Sequence, residues 1–254
     1  MNSHTTVAQQ VARDASRTIR TIYFRLEALN PEQRADDELF LRCYEQIESE
    51  LIAGIRSAYP SHTIQAKYHD TRENDAYHRW YISGMTAEEN FRAGRPNFSV
   101  SIAYEMGGKL QSAVVYNPVL DEMSVASRTE GALFNDQKLR APKNDGKLEN
   151  AHLLTKIGRT VVDHEQFAKL QRNAKSIMCY GDVAGDIIQT ARGLASGFYS
   201  GAHLAEEDIA GAVLIAREAG LLVTDFRGSE ENLMSGEIVV VAPRLLKEML
   251  VALK

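Results

Sequence analysis

The sequence predicts a mixed α/β fold, with an α+β first half and a second half in which helices and strands alternate. Three observations lead there. Apolar residues recur at every fourth position through Cys43, Ile47, Leu51 and Ile55, which makes one stripe on a helix. Phe98, Val100, Ile102 and Tyr104 alternate with Asn97, Ser99, Ser101 and Ala103, as a half-buried strand requires. Beyond residue 150 short apolar runs and amphipathic stretches take turns, the pattern of an α/β unit.

Taken in chain order, Val7, Val11, Ala15, Ile19 and Ile22 predict a helix over 6–26, packed antiparallel on the helix that begins at Asp37. The polar stretch 30–37 between them reads as a loop or short turn. Tyr59-Pro60 ends the second helix, because the residue before proline is pushed out of the helical region. After the 97–104 strand, Gly107-Gly108 signals a hairpin with a return strand over 112–116, which Asn117-Pro118 breaks. Two more short strands follow over 122–127 and 132–134, an antiparallel meander with helices on one face. The polar, turn-rich segment 141–150 divides the chain into residues 1–145 and 146–254. The second part reads as helix 163–174, strand 176–180, helix 184–194 and strand 197–199. Helix 208–219 carries Ile209, Ala212, Val213 and Ala216 on one face, with Gly220 as its stop. Strands over 221–226 and 237–242 and a last helix after Pro243 complete the order.

Composition narrows the function classes. The 254 residues hold 29 Lys+Arg against 34 Asp+Glu, a formal net charge of −5, with 44% hydrophobic residues. These are values of an ordinary globular protein, and the acidic balance argues against direct nucleic-acid binding. No apolar run approaches the roughly 20 residues of a membrane helix. The first residues lack the basic and apolar regions of a signal peptide, so the expected location is cytoplasmic. Two cysteines, Cys43 and Cys179, cannot build a disulfide framework.

Several stretches resemble one family in order and spacing. Residues 78–94, with Trp80, Ile82, Asn90 and Phe91, resemble the signature loop Trp-x-Ile-Asp-Pro-Ile/Leu-Asp-Gly-Thr-Thr-Asn-Phe of the inositol monophosphatases. Residues 98–104 and 114–122 resemble the next two strands. Residues 207–220, Glu-Asp-Ile-Ala-Gly-Ala-Val-Leu-Ile-Ala-Arg-Glu-Ala-Gly, resemble the second signature. Residues 55–64 and 235–239 are most similar to bacterial members, including the extragenic-suppressor type that takes part in ribosomal RNA transcription. The resemblance covers the chain from about Glu38 onward. It implies a layered αβαβα sandwich, a homodimer, and magnesium-dependent phosphatase chemistry between the two halves.

The departures fall on that chemistry. The family's Gly-Glu-Glu element falls on Ala66, Lys67 and Tyr68. The two aspartates of the signature loop fall on Ser83 and Thr86, its proline on Gly84, its glycine on Ala87, and its two threonines on Glu88 and Glu89. An early-helix aspartate falls near Tyr44. Of the metal-binding acids only Asp208 remains, with Glu207 in place of its tryptophan neighbour. The acid that meets the sugar hydroxyls is Gly201. Magnesium wants carboxylate and water oxygens, whereas Lys67 brings an ammonium to a ligand position.

The resemblance, so modified, implies a protein that has lost magnesium-dependent phosphatase activity, takes no magnesium cofactor and acts by binding or regulation. It implies protein partners in the transcription or RNA machinery. One alternative is a sugar- or inositol-phosphate phosphomonoesterase with rearranged ligands Glu88, Glu89, Glu207 and Asp208. Another is a metal-free enzyme using Lys67, Tyr68 or Glu88, in which apolar surroundings lower the lysine pKa.

Plainer readings stand beside these. Asp208 is expected to cap a helix. Glu88, Glu89 and the run Glu206-Glu207-Asp208 are expected as solvated charges. Cys43 belongs to the core by its stripe, and Cys179 lacks a histidine partner. His62, His69 and His78 are spaced by seven and nine, which fits no short zinc motif. Gly107-Gly108 is a turn without a phosphate-loop pattern, and Lys138, Arg140, Lys143 and Lys147 form a solvated basic surface.

Overall fold

The computed structural model describes residues 2–69, 75, 77–143, 145–230 and 237–253. Ser235 and Gly236 of the resemblance, and Asn144 of the turn-rich segment, lie outside the described residues.

Two long helices open the chain. Helix α1 (Ser3–Arg25) begins earlier than its apolar stripe, because the Asn2 side chain accepts from Thr5 N–H and caps it. The polar stretch after it contains a four-residue helix, α2 (Pro31–Arg34), set by a capping box between Asn30 and Gln33 and by proline at its first position. Helix α3 (Asp37–Ala58) ends at Tyr59, ahead of Pro60, as expected. Its buried face runs through Phe40, Tyr44, Ile47, Leu51 and Ile55. Cys43 is half-buried at the edge of that stripe, not in the core, because a strict period of four drifts off a 3.6-residue helix.

Seven strands form the first sheet in sequence order: β1 (Thr63–Ala66), β2 (His78–Ser83), β3 (Val100–Met106), β4 (Lys109–Asn117), β5 (Glu122–Ser127), β6 (Gly131–Phe134) and β7 (Gln137–Leu139). Strands β3 to β6 form the expected antiparallel meander, and β1, ahead of it, pairs parallel with β2. The β3–β4 hairpin turns on Gly107 and Gly108, whose φ of 57° and 73° place both in the left-handed region that a two-residue turn needs.

Five strands form the second sheet, in the order β11-β12-β10-β8-β9. They are β8 (His152–Thr155), β9 (Ser176–Met178), β10 (Gly197–Ser200), β11 (Leu222–Thr224) and β12 (Ile238–Val241). Among the described residues every strand of the first sheet precedes residue 140 and every strand of the second follows residue 151. The four further helices are α5 (Val161–Asn173), α6 (Val183–Ala191), α7 (Glu206–Glu218) and α8 (Leu246–Leu253), with the short α4 (Glu88–Arg92) after β2. The last helix starts three residues beyond Pro243, after a turn.

Strand alternation sorts these elements into layers. Trp80, Ile82, Ile102, Tyr104, Val114 and Tyr116 point toward α1 and α3. Their neighbours Ala113, Val115, Ala126 and Ala132 point the other way, into a core shared with α6, α7 and Phe198, Ile238 and Val240 of the second sheet. The outer face of the second sheet, Leu153, Tyr199, Val239 and Val241, packs on Leu170 of α5 and Leu245 and Met249 near α8. The result is the αβαβα sandwich, with helices on both faces of the first sheet and not on one. Small residues let α7 lie close: a Cβ on Gly211 would stand 2.9 Å from Ser101 Oγ.

Candidate functional site

The candidate residues meet where β2, α4 and α7 converge. Lys67, Thr86, Glu88, Glu89 and Asp208 line a cleft of about 300 Å³ together with Ala87, Asn90, Lys156 and Gly181. Strand β2 delivers Ser83 beneath the start of α7, and the turn after it carries Thr86 to the start of α4. Gly84 is needed there: a Cβ would stand 3.0 Å from Ile47 and 3.3 Å from the Glu48 backbone.

Most of the polar side chains in and beneath the cleft have partners within the chain. The Lys67 ammonium and the Tyr68 hydroxyl both donate to Glu88 Oε1. Glu88 is therefore tied down, not a solvated loop charge. Glu89, beside it, is exposed. The Ser83 hydroxyl donates to Asp208 Oδ1 at 2.6 Å. The Thr86 hydroxyl donates to Asp182 Oδ1 at 2.6 Å. Tyr44, where the resemblance expects an acid, donates its hydroxyl to the Glu88 carbonyl at 3.2 Å. Glu206 and Glu207 accept from the Gln65 amide of β1 at 3.0 and 3.4 Å.

Asp208 does not cap its helix. The cap position is Ala205, without a side-chain bond, and Asp208 is the third helical residue, with its side chain turned inward. Burial raises its carboxyl to about 6, against the opposing Ser83 hydrogen bond and Lys67 charge. The expectation of a lowered lysine pKa also fails. Burial disfavours the Lys67 ammonium, but the Glu88 hydrogen bond and the charges of Asp208, Glu88 and Glu207 together hold its pKa above the usual lysine value. Burial and Glu88 likewise raise the Tyr68 phenol. Both shifts favour the protonated side chains near neutrality.

Gly201 is not part of the cleft lining. It lies against α5, where an added Cβ would meet Asp163 Oδ1 at 2.6 Å and Gln166 Oε1 at 2.8 Å. Cys179 is exposed at the end of β9, and burial of part of its thiol raises its pKa. The Cys43 thiol is raised too, chiefly by burial. Neither is a thiolate at neutral pH. His69 binds Glu48 at 2.9 Å. His62 stacks on His78 at 4.5 Å and accepts from Trp80 Nε1 at 3.0 Å. Among the described residues no three His, Cys, Asp or Glu side chains are grouped to hold a metal ion.

Two acids missing from the sequence-derived set organise the site. Glu48 on α3 is fully buried, and its carboxylate accepts from Lys67 N–H at 3.1 Å and Tyr68 N–H at 2.7 Å. It fixes the segment that carries Lys67. A charged residue interrupting the apolar face between Tyr44 and Leu51 was the available signal. Asp182 caps α6 and accepts from Thr86 Oγ1, from Ser99 Oγ at 2.7 Å and from Gly185 N–H at 3.1 Å. Its signal was an aspartate just before an apolar helical run.

The inositol monophosphatase family model matches residues 1–253. The Nus factor SuhB of Pasteurella multocida is 34% identical over 98% of this chain and 95% of its own length. The Nus factor SuhB of Escherichia coli is 30% identical over 96% of this chain and 93% of its own. Among solved structures, the extragenic suppressor protein suhB from Bartonella henselae superposes with a TM-score of 0.89 at 26% identity, covering 100% of this chain and 99% of that one. An inositol monophosphatase from Anabaena shares the fold with a TM-score of 0.88 at 21% identity, over 99% and 95% of the two chains. No described helix is long and apolar enough to cross a membrane. Fold, signature positions and relatives agree that the chain belongs to the inositol monophosphatase family.

Proposed function

We propose that this chain is a binding and regulatory member of the family that has lost magnesium-dependent phosphatase activity, and that it works in the cytoplasm as a homodimer. The observation that carries the reading is the Lys67–Glu88 pair. An ammonium of the chain itself stands in the cleft and neutralises the carboxylate beside it, with Tyr68 on the same oxygen. The rest of the donor set suits magnesium no better. Thr86 gives its proton to Asp182, Ser83 gives its proton to Asp208, and Asp208 is the single acid at a position the family uses. A divalent ion would have to displace Lys67 against like charge in a half-desolvated cleft, a cost of several kcal/mol.

The same geometry disfavours the phosphomonoesterase with rearranged ligands, since Glu88 is already engaged and Glu206 and Glu207 are turned to Gln65. Relatives named Nus factors support a partner in the transcription or RNA machinery, engaged through protein contacts. Soaking crystals in manganese and collecting anomalous data tests the cleft. No ion is expected there, and an ordered ion among Ser83, Thr86, Glu88 and Asp208 would contradict the reading. Co-purification with the chain tagged in its host tests the partner: transcription components are expected, and their absence at near-native expression would count against it.

A further inference from the structure

A second cavity, separate from the cleft, holds the least satisfied charge among the described residues. Helix α6 places Asp182 and Asp186 four residues apart, so both carboxylates face the same side, toward β4 and β5. Asp182 accepts from three donors, two on Oδ1 and one on Oδ2. Asp186 is 1% exposed, and neither of its oxygens has a hydrogen-bond partner. Both acids line a cavity of about 50 Å³, whose polar walls include Asn97, Ser99, Ser124 and Gln189. That volume holds roughly three water-sized groups.

Among the described residues no side-chain cation compensates this pair. Arg192, at the cavity's rim, donates to both oxygens of Glu122 at 3.2 Å and stacks its guanidinium on Phe134 at 3.8 Å. Its charge is thus committed to Glu122. Two buried carboxylates without a counter-ion are costly, and native proteins resolve such pairs by protonation or by a bound cation. The cavity shares no lining residue with the cleft, and the Thr86–Asp182 hydrogen bond runs between the two.

We propose that this cavity is a cation site, in which a divalent ion binds directly to Asp186, keeps two or more waters, and is balanced by Asp182 across them. A hard divalent ion of the magnesium or manganese kind is held in this way by one or two carboxylates, with water completing its shell. Its two charges match the two acids. Without it, burial and the Asp182 charge push the Asp186 carboxyl up to about 8. Gln189 and Arg192, both half-exposed, place one side of the cavity near the surface. The ion would bridge α6 to the first sheet and stiffen the Asp182 anchor that holds Thr86, so it would act on the cleft from behind without entering it.

Thermal unfolding with and without manganese, at a pH above the Asp186 value, tests this in three proteins. Wild type should gain several degrees in Tm at saturating manganese. Asp186→Asn should lose that gain, yet fold well, because it removes the unpaired buried charge and should melt above metal-free wild type. Asp208→Asn, altered only in the cleft, should keep the full gain. An absent gain in wild type, or a gain that survives Asp186→Asn, overturns the proposal. A gain abolished by Asp208→Asn also overturns it, and would point to a metal in the cleft, against the proposed function.

Discussion

The Ser83 hydroxyl donates to Asp208 Oδ1 at 2.6 Å, tying the end of β2 to the third residue of α7. Both residues are buried, so the bond lies in a setting where a lost partner is not replaced by water. Ser83→Ala should destabilise the fold by about 1–3 kcal/mol at neutral pH, read as a lower urea midpoint. The sign follows from Asp208. Its folded pKa, about 6, lies above the ordinary 3.8, so its contribution is most favourable below pH 3.8 and is lost as pH rises through about 6. Removing Ser83 raises that pKa further, so the loss in the variant should continue to higher pH than in wild type.

Asp208→Asn should leave stability at neutral pH unchanged or increased. The amide oxygen still accepts from Ser83, and no charge remains to be desolvated. Chemical denaturation checks this: a loss of more than about 2 kcal/mol would mean that the ionised carboxylate is stabilised by something beyond Ser83 and Lys67.

Asp182→Ala should cost more than either. It removes the cap of α6 and strands the Ser99 hydroxyl and the Gly185 N–H inside the protein, while the Thr86 hydroxyl keeps the Ser99 carbonyl as acceptor. The lost cap, with its Gly185 N–H, costs about 1 kcal/mol and the stranded Ser99 hydroxyl about 1–3 kcal/mol, so a total near 2–4 kcal/mol is expected in urea unfolding. A cost under about 1 kcal/mol would show that the network is not organised around Asp182.

The fold was largely legible because its signals are repetitive. The α3 stripe, the β3 alternation and the Gly107-Gly108 turn each follow from a period or a φ requirement. The site was less so. Lys67, Ser83, Thr86, Glu88 and Asp208 were found as positions, but their pairing was not, because a hydrogen bond between Ser83 and Asp208 joins residues far apart in the chain. Glu48 and Asp182 each carry a local signal, a charge on the apolar face of α3 and a cap before α6, but the donors they serve on other elements are encoded by no local spacing. Strand alternation and the hairpin turn gave β3 to β6, whereas β1, β2 and β7 carry no such local signal, and the parallel pairing of β1 with β2 is set by contacts between distant segments.

An imidazole stack ties the first helix to the first sheet and makes its docking sensitive to acid. His4 stacks on Tyr104 at 4.0 Å, and His62 on His78 at 4.5 Å, with His4 and His62 6.2 Å apart. Burial, followed by the neighbouring imidazoles, lowers the pKa of His4, and the same causes lower that of His62, opposed by Asp75. A base with a lowered folded pKa stabilises the fold above its unfolded value of 6.5 and loses that contribution as pH falls below it. The unfolding free energy should therefore drop between pH 6.5 and 5 by a margin that His4→Phe reduces, since phenylalanine keeps the stack and does not titrate. Equal slopes in the two proteins would contradict this.

The account rests on Lys67 and Glu88 having taken the place of a metal in the cleft, and magnesium-dependent release of phosphate from inositol and sugar phosphates tests it most directly. Wild type and Asp208→Asn, purified alike and assayed with magnesium in excess, should show the same background release. Release by wild type that requires magnesium and is abolished by Asp208→Asn would contradict it.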